Sequence, residues 1–113
     1  MSRKKKNYLI SKDTISQVEA LKGIFRRTLV YNEKIMLCYF HLNKGSEVPL
    51  HSHEQHQVGY VIKGKLKFFT SDYQFIAKKG DSYIFDSNEE HGARVLTDSE
   101  VIDIFSPSRE DYI

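Results

Sequence analysis

The segment His51-Ser52-His53-Glu54-Gln55-His56-Gln57 decides how the rest of the chain is read, because three of the five histidines fall within six residues there. His51 and His53 are two apart, so on an extended strand both imidazoles leave the same face. Gln57 returns to that face if the chain stays extended or turns tightly. His91 follows much later, just before another predicted strand. Two imidazoles on one strand leave a divalent ion with open coordination positions, and a third from a neighbouring strand completes a three-histidine face. Such a face suits iron, nickel, cobalt, manganese or zinc. The competing reading is a set of surface histidines in a polar loop. Glycines favour the site: Gly45 precedes His51, Gly64 follows Gln57, and Gly80 opens a turn ahead of His91.

On either side of this segment, apolar and aromatic runs recur at 24–31, 35–42, 57–62, 66–70, 73–77, 82–85, 92–96 and 101–105, broken by Gly, Asn, Asp and Ser turns. Short strands at such spacing imply an all-β sandwich, jelly roll or barrel. Only 14–21 reads as helix, with Ser11 or Asp13 as its N-cap. Phe68, Phe85, Tyr60 and Tyr83 are expected in the core or cavity wall. Arg26 and Arg27 point opposite ways on one strand, so one of them can reach a ligand. His41 reads as structural, and His56 as solvated or supporting the ligands.

The chain has 113 residues, 40% apolar and 28% charged, which bounds it to one domain of ordinary globular composition. The net charge of +2 belongs to the N-terminus, where Arg3, Lys4, Lys5 and Lys6 cluster. The remainder is net acidic. We therefore expect a basic tail over 1–7, a single domain over 8–113, and no nucleic-acid surface. No apolar run resembles a secretory signal or a membrane span, so a cytoplasmic protein is expected. Cys38, the lone cysteine, lies in an apolar run and reads as a buried thiol.

The spacing Gly45-x5-His51-x-His53-x3-Gln57-x6-Gly64 resembles the first cupin motif, and Gly80-x10-His91 resembles the second. The resemblance implies a double-stranded β-helix, a jelly-roll barrel with at most one short N-terminal helix, whose mouth holds one divalent metal ion on His51, His53, Gln57 and His91. Four positions depart from the pattern: Gln57 for Glu, Asp86 for Pro, Asn88 for Gly and Val95 for Asn. Neutral Gln57 removes a negative charge and weakens the hold on the ion.

A narrower resemblance joins Gln57-Val58-Gly59-Tyr60-Val61, Gly80-Asp81-Ser82-Tyr83, Asn88-Glu89-Glu90-His91-Gly92 and the stretch from Asp103 to Tyr112 to the pectin-degradation cupins, which linearise unsaturated uronates. It implies catalytic roles for Asp103, Phe105 and Arg109, and a carboxylated sugar as substrate. The residues speak to the same strand. Asp103 shares a face with Val101 and Phe105, opposite Ile102 and Ile104. Facing inward, its carboxylate sits in an apolar cavity, which is costly unless paired or functional. Facing outward, it leaves the isoleucines to fill the core. In the first case the isoleucines need cover, which a homodimer supplies. Arg109 can pair with Asp103 or fork onto a substrate carboxylate. The readings to separate are a ring-opening isomerase, an iron-dependent dioxygenase, and a non-catalytic metal- or sugar-binding module.

Overall fold

A computed structural model describes residues 8–113; the basic tail expected over 1–7 lies outside the described residues. Among the described residues eight strands run in order: β1 (Val18–Leu21), β2 (Ile24–Tyr31), β3 (Met36–Leu42), β4 (Glu47–His51), β5 (His56–Thr70), β6 (Gln74–Lys78), β7 (Ser82–Phe85) and β8 (His91–Ser106). Every pairing is antiparallel. β5 and β8 are long enough to serve two sheets. The first part of β5 and the last part of β8 pair with each other and join β1, β2, β3 and β7 in one sheet. Their other halves also pair and join β4 and β6 in the second. This is a jelly-roll barrel, as the resemblance to the cupins implies.

The breaks expected at Gly64 and at Thr97-Asp98-Ser99 are bends inside continuous strands. The register between β5 and β8 shifts from Val61 to Leu66, and such bulges turn a strand from one sheet into the next. Gly64 makes the bend possible. Its φ is 96°, and a Cβ there would stand 2.1 Å from Ser99 Oγ. The short strand β4 was not expected, since Pro49 interrupts its pattern.

The expected helix over 14–21 is absent. A 3-10 turn covers Lys12–Thr14, and Val18–Leu21 is an exposed strand on the edge of β2. β-branched Thr14, Ile15 and Val18 favour extension, and the free backbone groups of β2 offer partners that an isolated two-turn helix cannot match.

Side chains alternate along β8. His91, Ala93, Val95, Ser99, Val101, Asp103 and Phe105 are buried inside the barrel. Phe68, Tyr83 and Phe85 form an inner aromatic cluster with centroids 4.4 to 5.8 Å apart. Tyr60 corrects the reading of it as core: it is 46% exposed, because Gln57, Gly59 and Val61 take the inward positions of β5. Cys38 is buried, and burial pushes its thiol up to about 11, so it stays protonated and inert.

Candidate functional site

His51 ends β4, His53 lies just past it, and His91 opens β8 directly opposite His51. The three rings meet at the barrel mouth, with centroids 4.5 to 5.6 Å apart and a ligand nitrogen of each within 4.8 Å of the others. Each ring is turned by its own backbone. His51 Nδ1 bonds Pro49 O at 2.9 Å, His53 Nδ1 bonds Gln55 O at 3.0 Å, and His91 Nδ1 bonds Glu89 O at 2.8 Å. A carbonyl only accepts, so each Nδ1 carries the proton and each Nε2 presents a lone pair. Phe85 stacks on His91 at 4.3 Å and 7°, fixing that ring further.

These atoms fit a cation. His91 Nε2 is buried and has no hydrogen-bond partner among the described residues. His53 Nε2 lies 3.0 Å from Gln57 Oε1, so two lone pairs confront each other unless a positive ion stands between them. Gln57 also favours the charged form of Asp103, which lines the same cavity. Burial lowers the basicity of His53 and takes His91 down to about 4, which keeps both rings neutral and ready to ligate. The cluster can hold a divalent metal ion on His51, His53 and His91, with Gln57 as a neutral fourth donor.

Below the mouth lies a cavity of about 510 Å³, lined by His51, Gln57, His91, Asp103, Phe105 and Arg109 among others. Asp103 points inward and is 7% exposed. Burial raises its pKa to about 6, against the opposing pull of hydrogen bonds from Tyr83 and Gln57 and the charge of Arg109. Tyr83 Oη donates to Asp103 Oδ1 at 2.5 Å. Burial and the neighbouring carboxylate keep that phenol protonated by raising its pKa. Phe105 lies flush in the wall, 5.7 Å from the His53 ring. Arg109 packs 5.3 Å from the Phe105 ring and 4.0 Å from Tyr112, and pairs with Asp111 at 3.0 Å.

Three features escaped the sequence reading. Tyr83 is a partner of Asp103 as well as core. Gly59 lies between them in register, and a Cβ on it would stand 2.1 Å from the Tyr83 ring and 2.3 Å from the Asp103 carboxylate. A glycine breaking the apolar alternation of β5 is the signal that could have found it. Tyr112 folds back against the cavity wall, its carbonyl accepting from Thr28 Oγ1 at 2.6 Å. His56 stays outside the cluster: it is exposed, and its Nδ1 accepts from Ser87 N–H at 3.2 Å. His41 packs near Phe25. Asn88, standing for the expected Gly, takes φ 64°, a left-handed conformation that Asn tolerates better than most residues. It donates its N–H to His53 O at 2.8 Å.

Residues 38–105 match the cupin domain family. Over 93 residues the chain is 34% identical to the pectin degradation protein KdgF of Dickeya dadantii, covering 80% of this chain and 84% of that one. The solved structure of KdgF from Halomonas superposes with a TM-score of 0.89 at 27% identity, covering 95% of this chain and 99% of that one. An RmlC-like cupin from Shewanella frigidimarina superposes with a TM-score of 0.90 at 28% identity, covering 95% and 96%. No helix among the described residues is long and apolar enough to cross a membrane. With most of its length matched to the family and its histidines gathered at the mouth of a jelly-roll barrel, the chain belongs to the cupins.

Proposed function

We propose that this cupin is a metal-dependent isomerase that opens the ring of a 4,5-unsaturated uronate or a similar small sugar acid. The observation that carries the reading is the buried carboxyl of Asp103, which lines the same cavity as His51, Gln57 and His91. This sets a titratable carboxyl beside a ligand cluster in one cavity. The similarity to KdgF supports the substrate class.

His51, His53, Gln57 and His91 would hold the ion, which supplies polarisation of a substrate oxygen when bound. Ring opening removes the proton of the anomeric hydroxyl while the bond from C1 to the ring oxygen breaks, and the ring oxygen leaves as an enolate that takes up a proton. Asp103 serves as the acceptor of the first proton. With its pKa near 6 it exists in both forms close to neutrality, so the same carboxyl can return a proton to the product. Tyr83 and Gln57 orient it by bonding to its charged form. Phe105 shapes the wall against which the ring lies. Arg109 brings a guanidinium to the substrate carboxylate, although part of its fork is already held by Asp111.

Turnover of an unsaturated galacturonate or mannuronate monomer, followed by nuclear magnetic resonance against the spontaneous rate, tests the proposal. Catalysis that persists without oxygen separates it from a dioxygenase. Protein that does no better than buffer removes the activity. We further propose a homodimer, since Ile84, Val58, Ile104 and Leu37 stand side by side across the outer face of one sheet.

A further inference from the structure

Arg26 faces the cavity from β2, while its neighbour Arg27 turns away and donates Nε–H to Ile15 O at 2.9 Å. The Arg26 guanidinium lies 4.1 Å from the Tyr112 ring, the same ring that packs against Arg109. Its Nε is buried with no hydrogen-bond partner, and among the described residues no carboxylate stands within ion-pair distance of it. A half-buried guanidinium without either is unusual, because desolvated charge is normally paired. Arg109 differs, since both Nε and Nη2 are turned to Asp111, at 3.4 and 3.0 Å. The cavity wall thus carries two guanidinium groups, and one of them has its fork uncommitted.

We infer that Arg26 binds the substrate's carboxylate and is the residue by which the cavity selects acids over neutral sugars. The inference rests on the reading of the cavity as a sugar-acid site, and it moves the main carboxylate contact from Arg109 to Arg26. Tyr112 holds the Arg26 fork in place by stacking, which limits the entropy lost on binding. Two parallel N–H donors match the two oxygens of a carboxylate, whereas a hydroxymethyl group in the same place leaves a donor unpaired. Arg109, tied to Asp111, adds charge and one remaining N–H edge. Two cations on one ring also favour an anion over a neutral ligand electrostatically.

The test titrates D-galacturonate and D-galactose, which differ by carboxylate against hydroxymethyl, into the full chain as purified, with wild type, Arg26→Met and Arg26→Lys compared. Wild type should bind the acid about tenfold or more tightly than the neutral sugar. Arg26→Met should erase that preference, and Arg26→Lys should keep part of it, since charge remains but the fork is lost. A role limited to supporting Tyr112 would weaken both sugars alike and leave their ratio unchanged. That result, or a wild type with no preference, overturns the inference. Turnover of the unsaturated uronate in the same samples separates the two readings. An Arg26-dependent preference without turnover removes the isomerase and leaves the site. Turnover with an unchanged KM in Arg26→Met removes the site and leaves the isomerase. If Arg26→Met does not fold, Arg26→Lys alone decides: a reduced preference for the acid supports the inference, and a preference equal to that of wild type overturns it.

Discussion

Tyr83 and Asp103 meet hydroxyl to carboxylate at 2.5 Å, across a gap that Gly59 leaves open between them. The bond favours the charged form of Asp103, because the phenol donates and a protonated carboxyl would accept it less well. Tyr83→Phe should therefore raise the pKa of Asp103 beyond about 6. The acidic limb of the kcat/KM profile should move to higher pH, with metal content unchanged. A limb that stays in place would show that another group governs it.

The barrel was legible because strand spacing and glycine positions are local properties of the sequence. Residues 24–31 and 82–85 run as expected as β2 and β7. The two long strands were not, since a bulge at Gly64 looks the same in sequence as a turn. The spacing of His51 and His53 showed a shared face, while the resemblance to the cupins was needed to join Gln57 and His91 to them. The inward face of Asp103 was left open by sequence, because Ile102 and Ile104 are equally good core residues. Register against β5, which sets Asp103 opposite Gly59, decides it. Tyr112 was invisible for a different reason: its place in the cavity wall depends on a long-range bond to Thr28.

Metal retention should depend on His91 more sharply than on any other ligand, since its Nε2 is buried and otherwise unpartnered. His91→Ala should lose stoichiometric metal in purified protein, measured by inductively coupled plasma spectrometry. Gln57→Glu should raise affinity about tenfold or more by adding an anionic donor. It also sets a second carboxylate against Asp103 and should raise the pKa of that residue. Unchanged metal in both His51→Ala and His91→Ala would place the ion elsewhere.

The outer sheet face should hold two protomers together. Ile84 is 64% exposed and Val58 39%, in register with each other and with Ile104. Ile84→Glu alters no core contact, so it should leave the melting temperature of the monomer unit near that of wild type. Light scattering should give about twice the 13.2 kDa chain mass for wild type and a single chain mass for the variant. A wild-type mass near one chain at micromolar concentration removes the dimer.

Asp103 should lower stability at neutral pH while it serves catalysis. In the unfolded chain an aspartate titrates near 4, and in the folded protein burial holds Asp103 at about 6. Between those values the folded state binds the proton more tightly than the unfolded one, so stability falls as pH rises from about 4 to about 6. The deficit remains above that window and amounts to about 3 kcal/mol for a shift of about two units. Asp103→Asn abolishes the titration while keeping the shape, so it should melt several degrees higher than wild type at pH 7 and at nearly the same temperature at pH 4. His91 works the other way. Its folded pKa near 4 lies below the ordinary histidine value, so its contribution is lost as pH falls through that range. That loss is common to both proteins and cancels in the difference between them. The same variant should lose about a hundredfold or more in ring-opening rate, as removal of a general acid–base group does. Equal melting temperatures at pH 7, in metal-free protein, would mean that Tyr83 and Gln57 fully offset the burial of the charge.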